Sequence, residues 1–388
     1  MPEKRYLMTP GPTPVPPQVM AALSLPIVHH RTREFRQLLA RLLENLSEVF
    51  RTGNDVLLYT ASGTACMDGA VANLCSPGDR VLVVSAGNFG ERWTKIAEAY
   101  GCDVQTLAYE WGEIPSGEDV ARRLGEIGGA HAVFLTHSET STGVVADLEE
   151  LAARIRPSGA LVVVDAISSL GAVPLEPDAW GIDVVVSGSQ KALMCPPGLG
   201  LVSVSPRAYE AAGRATTRRF YLDWQTTRDA QREEPPVNPF TPAIPVIRGL
   251  GVAVELLLAE GLEAAFERHV KLGRAARAGV KAMGLELFSP DDDSAAVVTA
   301  ARTPEGIDAG AVIGTLAERY GITMEGGRKA LTGKIVRIGH VGYMDVFDVT
   351  TSLAALELAL AEQGADVERG AAVPAALEAY GEPAGLRV

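Results

Sequence analysis

Residues 183–198 read Asp183-Val184-Val185-Val186-Ser187-Gly188-Ser189-Gln190-Lys191-Ala192-Leu193-Met194-Cys195-Pro196-Pro197-Gly198. The run from Asp183 to Ser187 has the β-branched content of a short buried strand, and it passes through small polar residues into a Pro-Pro-Gly turn. Lys191 stands between strand and turn as a single cation. Burial disfavours the charged ammonium, and a lysine that is neutral part of the time can form a Schiff base with a carbonyl. Taken alone, a lysine at a strand end is more often an ordinary surface residue, so the rest of the chain has to decide.

Working outward from that stretch, strand patterns recur at Val56–Thr60, Val81–Ser85, Val104–Ala108, Ala132–Thr136, Leu161–Asp165, Val184–Ser187 and Leu199–Val204. Helical patterns lie between them. Ala65–Leu74 is rich in small residues, Glu91–Tyr100 follows the second strand, and Arg33 to Phe50 carries apolar residues at 35, 38, 39, 42, 43, 46 and 50, the spacing of one buried helical face. Apolar strands alternating with helices predict an α/β fold with a mostly parallel sheet covered on both faces. In such sheets ligands bind at the carboxyl ends of the strands.

Residues 205–240 break the pattern, being charged and aromatic and ending in prolines, and predict a connecting segment. Ile247 to Met283 reads as a long helix broken near Gly261. A second, smaller α/β unit follows, with strands at Ala296–Ala301 and Ile335–Ile338 and helices at Asp308–Tyr320 and Val349–Glu362; the Ala- and Gly-rich tail after Gly364 is expected to pack loosely. The expected organisation is an N-terminal arm over 1–17, a large domain over 18–250 and a small C-terminal domain over 251–388.

A net charge of −13 argues against nucleic acid or an anionic membrane as partner, since both attract basic surfaces. The opening Met-Pro-Glu-Lys-Arg has no apolar core of a leader, and no uncharged apolar run is long enough to cross a bilayer. Cys66, Cys75, Cys102 and Cys195 lie far apart with no Cys-x-x-Cys pair, which reads as reduced thiols in a cytoplasmic protein without a metal site.

Several residues at predicted strand ends could carry chemistry. Ser62-Gly63-Thr64 lies between a strand and a helix start, where hydroxyls and free N–H groups bind phosphate; helix capping by Ser62 is the competing reading. Asp165 ends an apolar strand and needs a cation or donors if buried, or else caps the next turn. Phe89, among small neighbours, presents its ring to a cleft or fills the core. His137-Ser138-Glu139-Thr140-Ser141-Thr142-Gly143 is dense in hydroxyls, with a solvated turn as the alternative, and His137 has no second histidine at metal-ligand spacing. Arg337 lies inside the apolar strand Ile335–Ile338, where its fork suits a carboxylate, internal or from a ligand. The Pro10-Gly11-Pro12 arm lets a ligand approach the backbone at Gly11.

A phosphate cup, a stacking ring, an acid, an imine-forming lysine and a carboxylate-binding arginine together match what pyridoxal phosphate needs when it acts on amino acids. Ser-Gly-Thr at 62–64, Glu-Thr-Ser-Thr-Gly at 139–143, Val-Val-Asp-Ala-Ile-Ser-Ser-Leu-Gly at 163–171, Ser-Gly-Ser-Gln-Lys-Ala-Leu at 187–193, Thr-Pro-Ala-Ile-Pro at 241–245 and Val-Arg-Ile-Gly at 336–339 resemble the class V aminotransferases of the fold-type I pyridoxal phosphate enzymes. The likeness runs from about Tyr6 to Glu362 and is nearest the alanine–glyoxylate and serine–pyruvate/glyoxylate branch. It implies that Lys191 holds pyridoxal 5'-phosphate covalently and shuttles a proton, and that Asp165 pairs with the pyridine nitrogen. It gives Phe89 the stacking ring, where relatives often carry Trp or Tyr, and places Thr140 near the cofactor's phenolic oxygen. Ser62, Gly63, Thr64 and Gln190 would form the phosphate cup. Arg337 would grip the substrate α-carboxylate, with Gly11 lining the same pocket. Thr241 would reach the phosphate of a neighbouring subunit, which implies a homodimer with shared sites; Phe240 stands where relatives often have Tyr, so a hydroxyl contact is lost there.

The resemblance implies a ping-pong transaminase moving nitrogen from serine or alanine to glyoxylate or pyruvate. Phosphoserine and ureidoglycine aminotransferases are alternatives, the former needing extra cations such as His29-His30-Arg31 or Arg218-Arg219. A carbon–sulfur lyase or cysteine desulfurase is disfavoured because Gln190 and Phe89 stand where those relatives usually have histidine.

Overall fold

The computed structural model describes residues 5–382. Backbone contacts divide the chain into two compact units, one formed by Val15–Glu139 with Ala146–Leu262 and the other by the residues up to Pro14, Thr140–Val145 and those from Glu263 onward.

The first unit is built on seven strands, β1 (Asp55–Tyr59), β2 (Arg80–Ser85), β3 (Asp103–Ala108), β4 (Ala132–Thr136), β5 (Leu161–Asp165), β6 (Val184–Gly188) and β7 (Gly200–Val204). They lie in the order β1-β7-β6-β5-β4-β2-β3, and every pairing is parallel except the two made by β7. Strands β5, β6 and β7 are buried at every position, which accounts for their unbroken Val-rich runs: a sheet covered on both faces has no polar side to alternate with.

Helices α1 (Pro17–Leu23) and α2 (Arg33–Phe50) precede β1, and α3 (Gly63–Leu74), α4 (Gly90–Ala99), α5 (Gly117–Glu126) and α6 (Leu148–Ile155) alternate with the strands. Helix α2 begins at Thr32, whose hydroxyl accepts from the Phe35 N–H, and buries Phe35, Leu39, Leu42, Leu46 and Phe50. Helix α3 lies close on the sheet because its facing side is small: a Cβ on Gly200 of β7 would collide with Cys66, and one on Gly63 would come within 2.6 Å of Ile167 Cδ1.

The expected connecting segment over 205–240 instead contains two helices, α7 (Pro206–Arg214) and α8 (Trp224–Gln231). Their start signals are local and strong. Ser205 caps α7 with Pro206 in its first turn, and Asp223 caps α8 while Trp224 is buried behind it. The helix expected over 247–283 with a break near Gly261 is the pair α9 (Ile244–Glu260) and α10 (Leu262–Ala282), which meet at Gly261, whose φ of 88° lies in the region glycine favours.

The second unit contains a three-stranded sheet of β8 (Val298–Arg302), β9 (Glu325–Gly326) and β10 (Ile335–Gly339) in the order β8-β10-β9, all antiparallel. Its core joins Leu272 and Val280 of α10, and Met283 just after it, to Val312 and Leu316 of α11 (Ala309–Tyr320), Val336 and Ile338 of β10, and Leu353, Leu356 and Leu360 of α12 (Val346–Glu362). The N-terminal arm is tied in by backbone bonds: Tyr6–Leu7 pairs in parallel with Ile322–Thr323, and the Gly339 N–H donates to Met8 O at 2.8 Å.

The tail expected to pack loosely forms a further helix, α13 (Ala372–Gly381), with Ala372 and Ala376 fully buried in that core. Alanine suits this face because the cover lies close, and buried Glu357 accepts the N–H of Gly370 and of Ala372, each at 2.8 Å. Among the described residues no helix is long and apolar enough to cross a membrane.

Candidate active site

In the first unit the carboxyl ends of β1, β2, β4, β5 and β6 run directly into the segments that hold Ser62, Phe89, His137, Asp165 and Lys191. The Ser62 hydroxyl accepts from Ala65 N–H at 3.2 Å and so caps α3. This is the competing reading raised from the sequence, and it leaves the phosphate reading open: the N–H groups of Gly63 and Thr64, first in the helix, have no protein partner among the described residues. Two free donors at the positive end of a helix make an anion cup. Gly188 keeps the cup open, since a Cβ there would lie 3.0 Å from Gln190 Oε1 and 3.5 Å from the Gly63 nitrogen. Among the described residues the buried Gln190 Oε1 has no hydrogen-bond partner.

Lys191 is buried, at 8% exposure, in a loop closed by Ser189. The Ser189 hydroxyl donates to Pro196 O at 2.7 Å and accepts from Leu199 N–H, while Cys195 N–H reaches Ser189 O. These bonds use the small polar residues after β6 and explain how a lysine is held against an apolar strand. Asp165 is buried too, with Oδ1 accepting from Ile167 N–H at 2.8 Å. Burial pushes its carboxyl up to about 7; the Ile167 bond and the charges of Arg92 and Lys191 pull the other way, and Glu139 adds to the rise. An acid of this kind calls for a cationic partner.

Phe89 precedes α4 and its ring is half-buried. Its backbone is fixed by a residue that the sequence left without a role. Buried Glu139, just after β4, accepts from Phe89 N–H at 2.8 Å and Gly90 N–H at 3.1 Å, a carboxylate at a helix N-terminus. Trp93 anchors the same helix, fully buried, with its Nε1–H on Leu135 O at 3.2 Å and its ring 4.8 Å from that of Phe134.

Arg92 was also missed. Its guanidinium carbon lies 4.6 Å from the Phe89 ring centroid, and Nη1 donates to Thr64 Oγ1 at 2.8 Å. The run His137–Thr142, with a solvated turn as its alternative, is buried at every position. Burial drives His137 down to about 3, so it is neutral, and its Nδ1 has no partner among the described residues. Thr241 is exposed, next to a cluster in which the Phe240 ring lies 5.2 Å from Tyr221 and 5.6 Å from Phe220.

In the second unit Arg337 sits mid-strand at 2% exposure. Its Nε donates to Gly326 O and its Nη1 to Thr140 O, both at 2.8 Å, with Glu325 Oε2 3.4 Å from Nη2. Two carbonyls therefore set the plane of the fork. Buried Thr140 thus contributes its backbone oxygen here. Gly11 has a φ of 146°, outside the range of ordinary side-chain-bearing residues.

A profile of the family Aminotransferase class-V matches residues 5–352. The chain belongs to the class V aminotransferases. The serine–glyoxylate aminotransferase of Methylorubrum extorquens is 35% identical over 97% of this chain and 96% of that protein. The soluble hydrogenase small subunit of Synechococcus sp. (strain PCC 6716) is 42% identical over 97% of this chain and 98% of its own. Among solved structures, the ureidoglycine–glyoxylate aminotransferase of Bacillus subtilis superposes with a TM-score of 0.93 at 34% identity, covering 98% of this chain and 99% of that one. This class V aminotransferase is a transaminase, and its fold is that of the fold-type I pyridoxal phosphate enzymes. Its first unit suits such a cofactor: an anion cup with unpartnered donors, a half-exposed ring, a buried acid awaiting a cation and a buried lysine.

Proposed function

We propose that this class V aminotransferase binds pyridoxal 5'-phosphate through Lys191 and moves an amino group from serine or alanine to glyoxylate or pyruvate in two half-reactions. The observation that carries the reading is Asp165, a buried carboxyl raised to about 7 on the same sheet edge as a buried lysine. When bound, the cofactor supplies an electron sink for the carbanion left when the substrate Cα loses its proton. Asp165 would hold the pyridine nitrogen protonated, the cation gained returning the acid to its ionised form. Lys191 would release its covalent hold and carry the proton between the substrate Cα and the cofactor. Ser62, Gly63, Thr64 and Gln190 would bind the phosphate and Phe89 would stack on the ring. Thr140 would stand near the phenolic oxygen. Arg337 would take the α-carboxylate, its fork already oriented by two carbonyls, with Gly11 beside it.

One of the cations that a phosphoserine site would call on is not at its disposal. Arg219 is already committed to Asp223 Oδ2, Thr217 O and Ala212 O. Three of the four cysteines are unsuited to desulfurase chemistry, since Cys66, Cys75 and Cys195 are buried and burial pushes the Cys195 thiol up to about 12. A homodimer fits the exposed Phe220 and Tyr221, packed with half-buried Phe240 beside Thr241, which a second copy would cover. Sedimentation checks this, a monomer at micromolar concentration being the contrary result.

The test of function mixes the cofactor-loaded protein with single amino acids, without an acceptor, and follows the visible absorbance of the bound cofactor. Serine or alanine should convert it fastest, and glyoxylate or pyruvate should restore it. Conversion led by phosphoserine, or an elimination product with the band unchanged, would contradict the assignment.

A further inference from the structure

Arg92 has no part in the chemistry derived so far, yet it touches two members of the cofactor site. It lies in the first turn of α4, three residues after Phe89, so both side chains share one face. Its guanidinium is seated on the Phe89 ring, 4.6 Å from the centroid, a cation–π contact that holds the fork in place. From there Nη1 donates to Thr64 Oγ1 at 2.8 Å. A guanidinium has donors only, so the Thr64 hydroxyl must accept, and its own proton is left to be given elsewhere. Accepting from a charged donor makes that hydroxyl a stronger donor in turn.

The direction left to the proton is defined by its surroundings. Thr64 stands at the start of α3, beside the unpartnered N–H groups of Gly63 and Thr64 themselves. No carboxylate among the described residues pairs with Arg92, so its charge is not cancelled locally and is felt as far as Asp165, whose pKa it lowers. An uncompensated cation behind a hydroxyl, next to free amides at a helix N-terminus, is an arrangement for a dianion.

We propose that Arg92 is a positioning residue of the cofactor site, which acts through Thr64 by turning that hydroxyl's proton toward the phosphate of the cofactor. On that reading Phe89 serves two neighbours, one face carrying Arg92 and the other stacking on the cofactor. The proposal rests on the pyridoxal 5'-phosphate reading above, and the experiment separates the two.

Protein stripped of cofactor is titrated by equilibrium dialysis with pyridoxal 5'-phosphate and with pyridoxal, which lacks the phosphate. Wild type, Arg92→Gln, Thr64→Val and the double variant are compared, with a thermal melt of each stripped protein. Arg92→Gln should weaken pyridoxal 5'-phosphate about 10- to 100-fold, the range of one charge-assisted hydrogen bond, and pyridoxal by less than about 3-fold. The double variant should lose no more than Thr64→Val alone, because the arginine works through that hydroxyl. Unchanged pyridoxal 5'-phosphate affinity in Arg92→Gln, equal losses for both ligands, or additive losses in the double variant would each overturn the role of Arg92. Wild type binding neither ligand would overturn the cofactor reading itself, and the inference with it.

Discussion

Asp165 is costly to bury as an anion. Its folded pKa of about 7 lies above the ordinary value of 3.8, so the cofactor-free native state holds a proton that the unfolded chain releases between those two pH values. The stability tied to this proton is fully present below pH 3.8 and is lost as pH rises through about 7, a fall on the order of a few kcal/mol. Asp165→Asn should therefore gain stability relative to wild type in cofactor-free protein as pH rises from 4 to 7, and keep a constant difference above that. Denaturant melts across this range check it, and a pH-independent difference would contradict it. The same substitution should cost activity at least about 100-fold, as the loss of a group that stabilises developing charge does. Lys191 and Asp165 were legible in the sequence because each broke a rule, a charge placed at the end of an apolar strand. Glu139 and Arg92 broke none: an arginine three residues into a helix reads as solvated, and the meeting of Glu139 with the start of α4 appears only when β4 is laid beside β2.

At the scale of elements, the first-unit strands buried on both faces were readable to within one residue at each end. Ala132–Thr136 and Leu161–Asp165 fall at the expected residues. Helices α7 and α8 were hidden because their sequences are charged, although Ser205-Pro206 and Asp223 are ordinary start signals. Helix α13 was hidden for the opposite reason: its alanines look featureless, and what orders it is a carboxylate on α12. Glu357→Ala would strand two N–H groups and should lower stability by roughly 1–3 kcal/mol. Hydrogen exchange should then speed up at Gly370, Ala372 and along α13 ahead of the remaining core. Unchanged protection there would mean that apolar packing alone holds the helix.

Across the whole molecule, the unit built around α10, α11 and α12 also takes in the residues up to Pro14 and Thr140–Val145, pieces far apart in the chain. Sequence adjacency carries no trace of such an assembly, whereas the alternation that builds the seven-stranded sheet is local and repeats, and so it could be read. On the proposed function, the chemistry of the first unit would depend on one covalent bond at Lys191, and that bond could be trapped. Borohydride reduction of the cofactor-loaded protein, followed by peptide mass spectrometry, should place the reduced cofactor on the peptide containing Lys191 and on no other. Label on a different lysine such as Lys95, or no label at all on protein shown to transaminate, would contradict the account.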